Sequence, residues 1–198
     1  PEIEYIEHII PVENNTNTLF GDVAVSATDL NKDLRRSIDL RIDKVKELVN
    51  SNNEQWIVWG LQNLETDRLS KVLKDSKNVQ GSDKPEIKAK NLIGFADNEF
   101  ENLITKTSIA SFGMNYQQCS NMVFSSYDFK FEKFYQAVRR CYRFGQKNKV
   151  KVHILVPESQ LNVRESIIEK EVKTKKKKKK EMSKYKRSKN RKLSRFKW

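Results

Sequence analysis

Two arginines spaced three residues apart, Arg140 and Arg143, lie in the polar and aromatic segment QAVRRCYRFGQ at residues 136–146. A guanidinium group is planar, permanently charged and presents a fork of N–H donors, which suits it to phosphate groups. If the segment is helical as far as Gly145, both arginines lie on one face and can reach the same anion, and the glycine then ends the helix. The spacing alone is also typical of a solvated helix face.

The hydrophobic pattern predicts that strands alternate with helices at intervals of about twenty to thirty residues. This alternation favours an α/β fold with a parallel sheet, helices on both faces and right-handed crossovers. The first 28 residues are irregular, with at most one or two strands. The predicted strands are residues 55–60, about 78–80, 102–107, 121–126 and 150–156, and the predicted helices are residues 28–50, 65–74, 84–96 and 131–144.

The predicted helix that ends near Asn50 is amphipathic. Its apolar residues recur at helical spacing, which indicates that one side packs against the sheet. The other side is predicted to be a basic face, and DNA-backbone contact by this face is expected only from the family resemblance described below. The residues of this predicted basic face are Arg35, Arg36, Arg41, Lys44 and Lys46.

Charge divides the chain into three predicted parts. The chain of 198 residues carries a formal net charge of +13, but residues 170–198 hold sixteen Lys or Arg and only two Glu. The rest of the chain is therefore nearly neutral, and a self-repelling tail of this kind is predicted to be disordered. We predict a connecting segment at residues 1–32, an α/β lobe at 33–160 and a basic tail at 161–198. DNA, RNA or anionic lipid would suit the tail.

The composition argues against several classes of site. The sequence contains no run of eighteen apolar residues, so no membrane span is predicted. It has two histidines and two cysteines, and their spacing does not suit a metal site. Cys119 and Cys141 are expected to be free thiols in a reducing compartment. Trp56 and Trp59 flank a strand, and core packing is favoured for them over base stacking.

Two segments resemble motifs five and six of superfamily 2 helicases, most closely the Swi/Snf-type branch and its phage-borne relatives. The segments are LITKTSIASFGMNYQQCSNMVF at 103–124 and YDFKFEKFYQAVRRCYRFGQKNKVKVHILV at 127–156, and QWIVWGLQNLETDRL at 55–69 stands where the fourth motif belongs. The last motif matches at every defining position: Gln136, Ala137, Arg140, Arg143, Gly145 and Gln146. The resemblance implies the second RecA-like lobe of a motor ATPase.

In that family the second lobe supplies arginine fingers to ATP that the first lobe holds. The resemblance assigns this catalytic role to Arg140 and Arg143. It implies contact with the nucleotide cleft for four further residues, namely Gly113, Asn115, Gln136 and Gln146. Arg139 departs from the family, which usually has a small residue or an acid at this position. Arg139 is either a solvent-facing charge or an added DNA contact.

The resemblance also implies a nucleic-acid-binding edge. Lys106 and Thr107 lie where the family touches the phosphates of the tracked strand, and a cation with a hydroxyl suits sequence-independent contacts. Gln62 and Asn63 follow the strand at 55–60 and have a weaker case for DNA contact. Exposed loop polarity is the alternative for all four.

The chain lacks the P-loop pattern G-x-x-x-x-G-K-[ST] and an evident acidic box for magnesium. ATP and Mg²⁺ are therefore expected to be held mainly by an N-terminal helicase lobe, in the same or another chain. The chain studied here is expected to be inactive by itself, because it lacks that lobe. The leading prediction is the C-terminal motor lobe of a cytoplasmic DNA helicase or translocase, from a bacterium or a phage-infected cell. The alternative is a non-enzymatic nucleic-acid-binding module. A third interpretation, a nuclease or another α/β enzyme, is disfavoured because the sequence contains no coherent acidic cluster.

Overall fold

The computed structural model describes residues 2–12, 27–109, 113–126, 128 and 130–161. Residues 1–160 form one compact unit. The predicted basic tail, from residue 162 onwards, and residues 1 and 13–26 of the predicted connecting segment lie outside the described residues.

Six parallel strands form one sheet in the order β1-β6-β5-β2-β4-β3, so β2 has neighbours on both sides. The parallel sheet predicted from the alternating pattern is confirmed. The first strand, within the irregular start of the sequence, pairs with the last along its whole length. The strands are β1 Ile3–Ile10, β2 Trp56–Gly60, β3 Ser76–Val79, β4 Asn102–Lys106, β5 Asn121–Phe124 and β6 Val150–Pro157.

The described helices cross between these strands. They are α1 Ala27–Arg36, α2 Ile38–Val49, α3 Asn63–Val72, α4 Pro85–Ala96 and α5 Phe131–Val138, and a 3₁₀ turn, Glu158–Gln160, follows β6. α1 and α2 replace the single helix that was predicted, because Ser37 leaves the helical conformation with φ −87° and ψ 3°. The prediction that α5 continues to Gly145 is also wrong, since α5 ends at Val138.

Helices cover both faces of the sheet, as predicted. Side chains alternate between the two faces along each strand. On β2, Trp56 and Val58 belong to the core beneath α2 and α3, together with Ile42 and Leu69. On the opposite face, the ring of Phe124 packs against that of Phe134 of α5, with centroids 4.6 Å apart. Trp56 and Trp59 are core residues, since they are 2% and 1% exposed, which excludes base stacking for these two side chains.

Arg41 corrects the predicted basic face, because its side chain is buried and only 1% exposed. Its guanidinium forms an ion pair with Glu65, which is equally buried. Arg41 also donates to the carbonyl oxygens of Leu34 (2.6 Å) and Ser125 (2.9 Å) and to the hydroxyl of Ser37 (3.1 Å). These bonds satisfy the charge inside the protein, so Arg41 cannot contact DNA. Arg35, Arg36 and Lys46 of the predicted face are exposed.

Both cysteines are free and buried. The thiol of Cys119 lies 3.3 Å from the carbonyl oxygen of Gln55 and 3.2 Å from that of Asn121. Burial, together with the neighbouring Cys119, raises the pKa of the Cys141 thiol well above its usual value. Both thiols therefore belong to the packing that joins the β5 region to the segment after α5.

Candidate functional site

A surface crevice of about 380 Å³ lies beside the end of α5 and the turns that follow it. The helix ends because the backbone tightens, with Arg140 N–H bonded to the carbonyl of Ala137 (3.1 Å) and Arg143 N–H to that of Cys141 (2.9 Å). The crevice is lined by Tyr135, Gln136, Arg139, Arg140 and Arg143. The two predicted fingers therefore share one crevice, although turns and not a single helix face bring them together.

Arg140 is anchored to the loop that follows β4. Its Nη1 donates to the carbonyl oxygen of Met114 at 3.1 Å, and its own carbonyl accepts from the N–H of Tyr116 at 2.9 Å. Burial lowers the pKa of Arg140, and the charge of Arg143 lowers it further, while Tyr116 acts in the opposite direction. An arginine side chain stays charged in proteins, so Arg140 presents a partly desolvated cation to the crevice.

Arg139 adds a third guanidinium to the crevice. Its Cζ lies 6.0 Å from the ring centroid of Tyr135 and 5.7 Å from that of Tyr142, within the range of cation–π contacts. Arg139 is exposed, as both of its sequence-based interpretations require, and the choice between a solvent-facing charge and an added DNA contact stays a prediction. The crevice thus combines three permanent cations, and none of the described residues that line it carries a carboxylate.

The loop predicted to contact the nucleotide cleft is described from Gly113 onwards. Gly113 has φ +74°, a conformation that glycine adopts without steric penalty. Asn115 is exposed, two residues further on. The nucleotide-binding roles of Gly113, Asn115 and Gln136 stay predictions.

Gln146 has a buried side chain, 7% exposed, that bonds to the backbone. Its Nε2 donates to the carbonyl oxygens of Cys119 (2.9 Å) and Cys141 (3.4 Å), and its Oε1 accepts from the N–H of Asn148 (2.9 Å). The amide therefore ties the segment after α5 to the start of β5. Contact between Gln146 and nucleotide stays a prediction. In this structure the side chain holds the backbone of neighbouring segments in place.

Gly145 has a backbone conformation that would be strained for any residue with a side chain. Its φ is +96°, and a Cβ built there would lie 2.6 Å from the Oε1 of Gln117. We expect Gly145→Ala to lower the free energy of unfolding by about 1–3 kcal/mol, because a non-glycine residue at positive φ is strained. Urea unfolding of this chain measures the change. Gly81→Ala is the matched control, since no atom lies within 4 Å of its Cβ position; an equal loss in both variants would contradict the interpretation.

The four predicted nucleic-acid contacts lie together at the carboxyl edge of β2 and β4. Gly60 is paired with Lys106 in the sheet register, and the Nζ of Lys106 donates to the Oδ1 of Asn63. Gln62 lies next to Asn63, at the N-cap of α3. Thr107 is 7% exposed, so its hydroxyl has little free surface in this conformation.

Glu65, which was not predicted from the sequence to be important, links the loops at this edge from inside the protein. The carboxylate of Glu65 accepts from the hydroxyls of Ser125 (2.6 Å) and Ser126 and from the N–H of Leu61 (3.2 Å), besides its ion pair with Arg41. One buried carboxylate thereby joins the loops that follow β2 and β5. Glutamate in the first turn of a helix resembles an ordinary N-terminal charge, so the sequence carries no clear signal of its burial.

In the parts of the chain that the structure describes, no three His, Cys, Asp or Glu side chains come close enough to bind one metal ion. The same parts contain no helix long and apolar enough to cross a membrane.

The family model of the helicase conserved C-terminal domain matches residues 40–145. The chain belongs to this family. The fold of this helicase C-terminal domain is similar to the C-terminal part of the Fun30 ATPase domain, at 20% identity and a TM-score of 0.58 over 70% of this chain and 46% of that chain. It is also similar to the C-terminal domain of the DEAD-box protein Dbp5, at 16% identity and a TM-score of 0.53 over 67% and 78% of the two chains.

No curated protein matches the sequence. The chain spans less than half of the Fun30 chain that it resembles. The RecA-like fold of helicase C-terminal lobes is confirmed, and the family is one of ATP-hydrolysing proteins.

Proposed function

We propose that this helicase C-terminal domain is the second motor lobe of an ATP-dependent DNA helicase or translocase of the Swi/Snf-type branch. Arg140 and Arg143 would stabilise the charge that develops on the γ-phosphate of ATP, which a first lobe holds with Mg²⁺. The observation that carries the proposal is the crevice in which both arginines meet. Three guanidinium groups, with no carboxylate on the described residues around them, favour a polyanion such as triphosphate.

The proposed DNA contact rests on a different edge of the same lobe. Lys106 and Asn63 are linked by a hydrogen bond, and Gln62 stands beside them. A cation and two amides at a sheet edge suit contacts to the phosphate backbone, which carry no sequence information. Because Glu65 fixes the β2 and β5 loops together, movement of the whole lobe would move this edge as a unit. Opening and closing against the first lobe would then step the protein along DNA.

The experiment that tests this function measures ATP hydrolysis when this chain is joined to, or mixed with, a first lobe that carries the P-loop. We expect hydrolysis to require both lobes and to be accelerated by DNA, because the fingers and the P-loop lie on different lobes. The first lobe alone and this chain alone are the controls. If the first lobe alone hydrolyses ATP as fast as the pair, the motor function is contradicted. DNA binding without hydrolysis by the pair would instead support a non-enzymatic binding module.

A further inference from the structure

Three residues that line one small cavity behind Arg140 each carry a buried polar atom without a partner among the described residues. The atoms are the indole Nε1 of Trp59, the Oη of Tyr116 and the Nε of Arg140. All three residues line the same cavity, whose volume of about 10 Å³ is about the smallest that accommodates one water molecule. Trp59 is 1% and Tyr116 3% exposed, so bulk solvent does not reach them freely.

The chemistry of these atoms defines the ligand that would suit them. The indole N–H and the arginine Nε–H can only donate a hydrogen bond, whereas a tyrosine hydroxyl both donates and accepts. A single water oxygen can accept from both donors and donate one proton to the tyrosine oxygen. Those three bonds equal the number that a buried water typically makes. The other lining side chains are mostly apolar, namely Leu92, Leu103, Ile109 and Met114.

We propose that this cavity binds one ordered water molecule, which links Trp59, Tyr116 and Arg140 and fixes the guanidinium plane of Arg140. The carbonyl of Met114 holds Nη1 of the same group at 3.1 Å. With Nη1 and Nε both held, the guanidinium has a single orientation at the crevice. Trp59 and Tyr116 are then positioning residues for Arg140. Their effect on ATP hydrolysis rests on the proposed function, whereas the water site itself does not.

Tyr116 is placed independently of its hydroxyl. Its ring meets that of Phe95 edge-on, with centroids 5.2 Å apart and an angle of 78°, and its N–H donates to the carbonyl of Arg140 at 2.9 Å. Burial raises the pKa of Tyr116 far above its usual value, which keeps the phenol protonated at physiological pH. Tyr116→Phe should therefore keep the ring and the backbone bond while removing the group that the water contacts.

A crystal structure of this chain at a resolution that shows ordered water tests the site without any activity. We expect one water within hydrogen-bond distance of all three atoms, and its loss or displacement in Tyr116→Phe. A cavity without density, or direct hydrogen bonds among the three side chains, would overturn the proposal.

ATP hydrolysis by the protein that contains both lobes tests the positioning role. We expect Tyr116→Phe to lower kcat about tenfold and to change the KM for ATP and the affinity for DNA less than twofold, because the ground-state contacts remain. Tyr5→Phe, on the exposed side of β1, is the control for loss of a hydroxyl. A kcat within twofold of the wild type, or a change in KM alone, would overturn the role. Failure of the proposed function would be recognised separately, by unchanged turnover in Arg143→Lys.

Discussion

Replacing Arg143 with Lys is expected to lower DNA-stimulated ATP hydrolysis by about 10³-fold or more in the protein that contains both lobes, which is the lower range of the contribution of an arginine finger. Arg143 is exposed at the crevice that it shares with Arg140. Lysine keeps the charge but loses the planar fork that binds two phosphate oxygens at once. Steady-state turnover with saturating DNA measures the effect.

DNA affinity should remain within about twofold in this variant, because Arg143 lies at the crevice and not at the edge of β2 and β4. Arg68→Lys on α3 is the matched control, since it makes the same exchange outside the crevice. Turnover unchanged by Arg143→Lys would refute the finger assignment. Loss of DNA affinity in proportion to turnover would show that the residue serves nucleic-acid binding.

Arg41→Met should produce the largest loss of stability in this lobe, about 3–5 kcal/mol in the free energy of unfolding. The substitution leaves the carboxylate of Glu65 inside the protein without its cation. It also removes the donors that satisfy the carbonyls of Leu34 and Ser125. Urea unfolding of this chain measures the change, and the loss should appear as a lower midpoint at a similar slope.

Arg36→Met is the control for Arg41→Met, because Arg36 is exposed at the end of α1, and it should change stability by no more than about 0.5 kcal/mol. Glu65→Gln in the Arg41→Met background removes the uncompensated charge. The double variant should therefore be less destabilised than the two single changes added together. Strict additivity would mean that the two side chains do not stabilise each other.

The strands and their order along the chain could be predicted because buried parallel strands are short apolar runs. Trp56–Gly60 and Asn121–Phe124 are examples, since both are buried throughout. β1 gave a weaker signal, because Ile3–Ile10 is only partly buried and alternates with glutamates and histidine. Its place beside β6 is a long-range pairing that local pattern cannot specify.

The helix boundaries and the burial of Arg41 illustrate what local pattern misses. Arg41 follows Ile38 by three residues and precedes Val45 by four, so helical periodicity already places it on the buried stripe. The residue type nevertheless favours the basic face, because arginine is seldom buried without a partner. The partner of Arg41 is Glu65, which lies 24 residues further along the chain and therefore outside any local pattern. Serine is also compatible with a helix interior, so Ser37 does not by itself predict the break between α1 and α2.

The sequence could predict that Arg140 and Arg143 lie close together, but not the geometry of the crevice that they share; their catalytic role stays a prediction. The spacing of Arg140 and Arg143 correctly indicated a shared crevice, but turns after Val138 produce it. The anchor of Arg140 is a backbone carbonyl, that of Met114, which has no side-chain signature in the sequence. Tyr116 is similarly recognisable only once its side chain is seen to line the same cavity as Trp59.

The burial of both thiols has a practical consequence for testing the proposed movement of this lobe. A thiol reacts as its thiolate, and the raised pKa of Cys141 together with the burial of Cys119 keeps both sulfurs unreactive in the folded state. A cysteine introduced at an exposed position such as Lys46 would then be the site that takes up a maleimide dye. Fluorescence energy transfer to a dye on the first lobe could report closure without first removing the native cysteines.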